Sequence, residues 1–297
     1  MGNDLSTALK SKKNGILNNK NSDFNNVYEI NHRKSSMSIT RFPVIESNID
    51  EENGRHEHLL KVWGSNFFSP IESILESGDA KVLEIGCGFG SWIYDMAKNY
   101  PLSHFTGIDI NNPKYATLPN VSLTQGDVLE GLPYPDCTFD YIHFRDFLWS
   151  ISSKDASNKL FPELVRILKP GGWIEGIEFD VNILNVGPNT KFLNDALFNH
   201  IRNNGIHPEE FYNNISKLFK KHNLEYQVEE RILCFADHDL SKKRFVTFYK
   251  TIKSMILEYT SISYKKYDEI LDKSCVELVE YRTSYRSIRY FGKKLIA

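Results

Sequence analysis

Three alternating glycines, Gly86, Gly88 and Gly90, follow the carboxylate Glu84 in the stretch VLEIGCGFG. A glycine-rich turn between a strand and a helix commonly holds an anion, because unpaired backbone N–H groups and the positive end of the helix dipole meet there. A carboxylate at the end of the strand repels a pyrophosphate but attracts an ammonium group. The stretch therefore indicates a ligand that carries both a carboxylate and an ammonium, as an α-amino acid does.

A dinucleotide is the main alternative ligand for such a turn. Its fingerprint, G-x-G-x-x-G, requires a third glycine at position 91, where this chain has Ser91. The spacing therefore disfavours a dinucleotide-dependent oxidoreductase.

Two further carboxylates follow the next two predicted strands. Asp109 ends the stretch GID, where a carboxylate can accept hydrogen bonds from both hydroxyls of a ribose. Asp127 ends the stretch QGD, where it can accept from the exocyclic amine of adenine while the Val128 N–H reaches a ring nitrogen. Amino acid, ribose and adenine together make S-adenosylmethionine, which is the cofactor that we predict.

Strand and helix patterns alternate through most of the chain, which is typical of an α/β doubly wound fold. A helical pattern around His58, Leu59 and Trp63 precedes the first strand. Helical periodicity over residues 241–281 predicts a helical insertion before the last strand, which we expect to be antiparallel to its neighbour. The predicted strands are residues 81–87, 104–110, 121–127, 138–145, 173–179, 224–235 and 284–294. We expect them to form a Rossmann-like, mostly parallel sheet of seven strands, with ligands at the carboxyl ends.

The predicted fourth and fifth strands carry candidates for a general base. His143 and Asp146 lie at the end of the fourth strand, and Glu178 lies at the end of the fifth. Methyl transfer needs a base only when the nucleophile must lose a proton, and a histidine within an apolar strand commonly packs in the core. The sequence therefore assigns no catalytic residue.

Composition limits the classes of function. The 297 residues carry a net charge of −2, which gives no electrostatic reason to expect a nucleic-acid partner. The four cysteines lie far apart, so we expect neither disulfides nor a metal site, and we expect a reducing, cytoplasmic environment. Residues 1–50 are rich in Asn, Lys and Ser, which predicts a disordered polar leader before a domain at 51–297. The first residues, MGNDLS, match an acylation motif with Gly2 as acceptor, which would permit peripheral membrane association.

Several motifs together resemble the class I S-adenosylmethionine-dependent methyltransferases. They are VLEIGCGFG, GIDI, QGDV and LKPGGW, and the resemblance spans about residues 53–297. It implies the cofactor contacts named above and adds Ile110 beside Asp109. The stretches HEHLLKVWGSNFFSPI, LPYPDCTFDYIHFR and RILKPGGWIEGIEFD resemble the fungal LaeA-like or UMTA methyltransferases more narrowly. That resemblance implies a fold and a cofactor more firmly than a substrate.

Two functions stay open at the level of sequence. The first is an active methyltransferase whose acceptor is a small molecule of the secondary-metabolite type or a protein. The second is a non-catalytic regulatory subunit that binds S-adenosylmethionine and acts through protein partners. The intact acids and glycines favour cofactor binding, and hence the enzyme.

Overall fold

A computed structural model describes residues 49–111 and 118–296 of the chain. The predicted leader lies outside these residues except for its last two, and the acylation motif at Gly2 lies outside them as well. Among the described residues, no helix combines the length and the apolar character needed to cross a membrane.

Seven strands form one sheet in the order β3-β2-β1-β4-β5-β7-β6. The first five are parallel to one another, and β7 is antiparallel to both of its neighbours. The strands are β1 (Lys81–Ile85), β2 (His104–Asp109), β3 (Val121–Gln125), β4 (Phe139–Arg145), β5 (Leu168–Leu184), β6 (Leu224–Cys234) and β7 (Ser284–Lys294). The predicted α/β class, the antiparallel last strand and the insertion before it are confirmed. Strand order reverses beside β1, which is where ligands bind in such sheets.

Ten α-helices are described: α1 (Ile49–Trp63), α2 (Glu72–Ser77), α3 (Ser91–Asn99), α4 (Ser153–Asp155), α5 (Phe161–Ile167), α6 (Pro188–Asn203), α7 (Pro208–Lys221), α8 (Asp239–Thr251), α9 (Lys253–Thr260) and α10 (Tyr264–Glu280). A π-helical turn, Ala156–Leu160, joins α4 to α5. The helical insertion before β7 consists of three helices, α8 to α10.

Helices cover both faces of the sheet, which explains why β1 is buried at four consecutive residues. Val82 and Leu83 are adjacent in β1 and are both fully buried. Val82 belongs to a cluster with Trp92 of α3, and Leu83 belongs to a separate cluster with Leu164 of α5. The two faces of β1 therefore support two hydrophobic cores.

The predicted fifth strand, residues 173–179, is too short. The structure extends β5 from Leu168 to Leu184 and includes the lysine, the proline and the two glycines of the motif LKPGGW. Gly171 has a φ of 81°, and the pairing with β4 shifts register between Phe139 and Tyr141. These motif residues therefore lie within the strand, where they form an irregularity of the β-bulge type.

A buried ion pair fastens the segment after α1 to the sheet. Glu175 of β5 and Arg289 of β7 are both inaccessible to solvent, with Oε1 and Nε 3.3 Å apart. Glu175 also accepts hydrogen bonds from the backbone N–H groups of Phe68 and Ser69. The Arg289 guanidinium lies 4.7 Å from the ring centre of Trp63, the last residue of α1. The position of α1 thus depends on this network.

Candidate active site

The glycine turn after β1 requires glycine for steric reasons. Gly86, Gly88 and Gly90 have φ values of 65°, 54° and 85°, in the left-handed region that other residues rarely adopt. A Cβ on Gly86 would lie 2.5 Å from the Phe147 ring. The Gly86 N–H donates to the Ile108 carbonyl at 2.8 Å, which holds the turn against β2. Gly90 precedes α3 without a side-chain cap, so the first N–H groups of α3 are suited to an anion.

Glu84 lies beneath this turn and is only 2% exposed. Its Oε1 is 3.8 Å from Arg145 Nη2 and 3.9 Å from His143 Nδ1. Its Oε2 is buried and has no hydrogen-bond partner among the described residues. Burial raises the pKa of Glu84 to about 8, although the Arg145 charge opposes the shift. An orphaned carboxylate oxygen of this kind fits an ammonium group.

Asp109 ends β2 directly beside the glycine turn. Its Oδ2 accepts from the Gly88 N–H at 2.9 Å, and its Oδ1 accepts from the Asn111 N–H at 2.8 Å. Burial raises the pKa of this carboxyl group. Each carboxylate oxygen has a second lone pair, so the group can still accept from the two hydroxyls of a ribose.

The predicted adenine contacts lie at the next strand end. The Gly126 N–H donates to the Asp109 carbonyl at 2.8 Å, which joins the ends of β2 and β3. Asp127 caps a short 3₁₀-helix by accepting from the Leu129 N–H at 3.0 Å. Val128 is 7% exposed, whereas Ile110 is 40% exposed. The structure therefore places all eight predicted cofactor residues along one edge of the sheet, and gives Asp127 a capping role as well.

Sequence reasoning missed the contribution of α1 to this site. The Glu52 carboxylate carbon lies 3.6 Å from the position that a Cβ on Gly88 would take. The Asn53 Oδ1 accepts from the Ser91 hydroxyl at 2.9 Å. His56 Nδ1 is 3.0 Å from Arg145 Nη1. These polar residues look like ordinary surface positions of a helix, and no local signal in the sequence marks them as lying over the glycine turn.

A cavity of about 320 Å³ opens at the carboxyl ends of β4 and β5. Its walls come from α1, the loop after β4, the end of β5, α6, α8 and β7. Seven aromatic side chains line it: Trp149, Phe179, Phe235, Phe245, Phe248, Tyr249 and Tyr285. Since β4 pairs with β1, the cavity lies on the same edge of the sheet as the glycine turn. Its volume and apolar walls are typical of a small-molecule site.

The three candidates for a general base have different environments. His143 is fully buried and stacked on Trp92 at 3.9 Å between ring centres, and burial lowers its pKa well below the usual range. Glu178 accepts from the N–H groups of Phe147 and Leu148, and burial raises its pKa well above the usual range. Asp146 is the one of the three that lines the cavity.

Asp146 is held in an unusual geometry. Its φ is 47°, in the left-handed region, and its N–H donates to the Ile177 carbonyl at 2.9 Å. Its carboxylate pairs with Arg244 of α8. A strained residue after a central strand is a recurrent feature of functional sites.

Parts of the chain are similar to known proteins. Residues 82–172 match the methyltransferase domain family. The chain is 30% identical over 151 residues to the secondary metabolism regulator laeA of Coprinopsis cinerea, which covers 49% of this chain and 37% of that protein. It is 33% identical over 102 residues to methyltransferase str3 of Strobilurus tenacellus, which covers 33% of this chain and 36% of that protein. The chain thus spans little more than a third of the length of these relatives.

A solved structure shares the fold. Phosphoethanolamine N-methyltransferase 2 of Haemonchus contortus, in complex with S-adenosyl-L-methionine, superposes with a TM-score of 0.51 and 18% identity, over 86% of this chain and 59% of that one. The topology, the glycine turn and the match over residues 82–172 resemble those of class I S-adenosylmethionine-dependent methyltransferase domains. Within that class, the sequence of this chain resembles the LaeA-like methyltransferases.

Proposed function

We propose that this chain binds S-adenosylmethionine at the glycine turn and transfers its methyl group to a small molecule held in the aromatic cavity. The observation that carries the proposal is the orphaned Oε2 of Glu84 beneath a turn whose neighbour is Asp109. Glu84 would hold the ammonium, the start of α3 would hold the carboxylate, and Asp109 would hold the ribose. Asp127, Val128 and Ile110 would hold the adenine end.

The bound cofactor would supply an electrophilic methyl carbon on a sulfonium. Charge is dispersed rather than created in such a displacement, so alignment and exclusion of water supply much of the acceleration. The first turns of α1 support this role, because Glu52 and Asn53 lie at the glycine turn while Gly54 and Arg55 line the cavity. One helix thus contributes residues to both sites.

Asp146 is the group that we assign to the acceptor side. Its carboxylate lies on the cavity wall after β4, so it can orient an acceptor hydroxyl or amine and take its proton. His143 and Glu178 do not line the cavity. Replacing Asp146 by Asn should therefore lower turnover of a protonated acceptor while leaving cofactor affinity unchanged.

The first experiment is calorimetric titration of the full chain with S-adenosylmethionine and with NAD, repeated on Asp109→Ala. The proposal requires binding of S-adenosylmethionine that the substitution weakens about 100-fold, and little binding of NAD. Tight NAD binding would overturn the cofactor assignment.

A turnover assay distinguishes an active enzyme from a non-catalytic regulatory subunit. S-adenosylhomocysteine released from the full chain, with a library of small acceptors and with cell protein, would identify both the activity and the acceptor class. Cofactor binding without turnover on either would favour a regulator that acts through protein partners. We also propose a cytoplasmic location, supported by four cysteines that are all free, and a fluorescent fusion would test it.

A further inference from the structure

We infer that the acceptor is a planar aromatic molecule that carries an anionic substituent, such as a carboxylate or a phenolate. This inference rests on the proposed function, because it concerns the cavity that we assign to the acceptor. Two features of the wall carry it: the arrangement of the aromatic rings and the cationic side of α8.

The rings of the wall form two groups. Phe179 and Phe235 lie 4.9 Å and 4.8 Å from the ring of Tyr285, which makes a closely packed inner group. Trp149 and Phe248 meet edge to face at 5.9 Å and are only partly buried, which makes an outer group. Offset and edge-to-face contacts are the arrangements that aromatic rings prefer, so a planar ring gains more here than a flexible aliphatic chain of equal area.

Helix α8 directs one face toward the cavity. Leu240, Arg244, Phe248 and Thr251 all line it, at the spacing of one helical face, and Lys243 lies beside them. Arg244 is already paired with Asp146, and its guanidinium lies 5.8 Å from the ring centre of Phe179. Lys243 is exposed and lines the cavity, and no carboxylate pairs with it among the described residues. It is therefore the cation that is available to a ligand.

Two further charged residues, Arg55 and Asp50, line the cavity. Arg55 of the wall lies 3.6 Å from Glu52, so its charge is partly offset. Asp50 lines the cavity from the start of α1 and is exposed. The wall thus carries three cations, Arg55, Lys243 and Arg244, and two anions, Asp50 and Asp146, which favours an anionic acceptor over a cationic one. The cavity also limits the size of the acceptor to a small molecule.

The experiment uses three probes that share one ring system: 2-naphthoate, 2-naphthamide and 2-naphthylmethylammonium. Binding to the full chain is followed by quenching of tryptophan fluorescence, with and without S-adenosylhomocysteine, and Trp149→Phe identifies the signal that comes from the cavity. We expect naphthoate to bind more tightly than the amide and the ammonium probe to bind most weakly.

Two lysines of α8, one on the cavity wall and one off it, test whether Lys243 binds the anionic substituent. Lys243→Met should weaken naphthoate roughly three- to fivefold, as expected for an exposed ion pair, and leave naphthamide unchanged. Lys250→Met, on the same helix but off the cavity wall, should change neither. Asp50→Asn should leave naphthoate unchanged or strengthen its binding.

Each contrary result has a distinct meaning. If the ammonium probe bound most tightly and Asp50→Asn weakened that binding, the inference of an anionic substituent would be overturned. Equal binding of all three probes, or of none while S-adenosylmethionine still binds, would overturn the inference and leave the proposed function standing. Naphthoate binding without any binding of S-adenosylmethionine would instead overturn the proposed function.

Discussion

The proposed cofactor side and the proposed acceptor side of this domain are built in opposite ways. The cofactor side consists of short turns after β1, β2 and β3, and its shape comes from backbone conformation at the three glycines. The acceptor side is a cavity formed by large side chains from elements that are far apart in the sequence, from Asp50 to Tyr285. Backbone turns tolerate little change, whereas a side-chain wall can be altered one residue at a time. The two sides should therefore respond differently to mutation.

The largest effect is expected on stability, at the buried ion pair on which the position of α1 depends, because α1 contributes to both sides. Replacing Glu175 by Gln leaves Arg289 as a buried charge without its partner, which should lower the free energy of unfolding by about 3–5 kcal/mol. Chemical denaturation measures the change. Glu230→Gln is the matched control, because Glu230 pairs with Arg286 at 3.4 Å on the surface and should cost less than about 1 kcal/mol. Equal losses in the two variants would show that the buried pair does not anchor α1.

Asp109→Ala should affect the cofactor side alone. Loss of two hydrogen bonds from ribose hydroxyls to a carboxylate should weaken S-adenosylmethionine about 100-fold. Affinity for the naphthoate probe should not change. Calorimetry gives both values, and a parallel loss of naphthoate binding would show that the two sides are not separate.

The ionisation of Glu84 should make cofactor binding depend on pH. The ligand-free carboxyl group has a pKa of about 8, and an ammonium ligand needs the ionised form. Binding near neutral pH should therefore release a proton, and affinity should rise roughly tenfold per pH unit until the pH reaches this pKa. Titration in buffers of different ionisation enthalpy measures the released proton, and Glu84→Gln should abolish the release. Binding that is independent of pH would contradict the role of Glu84.

The same raised pKa affects stability in the absence of the cofactor. The folded state holds the Glu84 proton more tightly than the unfolded state, so this contribution to stability is full below the unfolded pKa of about 4.5 and is lost as pH rises through about 8. Glu84→Gln should therefore reduce the loss of stability over this range, as thermal unfolding at several pH values would show.

The smallest effect is expected for a single ring of the acceptor side. Phe248→Ala removes one partly exposed ring from the cavity wall, which should weaken the naphthoate probe about fivefold. Affinity for S-adenosylmethionine should stay the same. A change in the affinity for S-adenosylmethionine instead would show that Phe248 contributes to the cofactor side.

The same contrast explains what the sequence could predict. Glu84, the three glycines and Asp109 are signalled locally, because each lies at a strand end and its residue type is fixed by the chemistry at that point. The order of strands and helices was also predictable, since apolar periodicity marks each element. These features account for the confirmed fold and for the cofactor assignment.

The acceptor side could not be predicted in this way. Tyr285, Phe248 and Phe179 are apolar residues in apolar patterns, and only the tertiary structure shows that they line a cavity rather than a sealed core. The position of Glu52 over Gly88 depends on the packing of α1, which is set by a distant network at Glu175 and Arg289. Such long-range contacts leave no periodic signal in the residues themselves.

The pairing of β6 with β7 also bears on how this domain could diversify. The two strands pair from Leu224 with Lys294 to Cys234 with Ser284, so the helices between them begin and end at neighbouring points of the sheet. A segment inserted between adjacent points can change in length at little entropic cost, about 0.6 kcal/mol for each doubling. Helices α8 to α10 could therefore be replaced as a unit. Such a replacement could change the acceptor while the turns of the cofactor side stay the same.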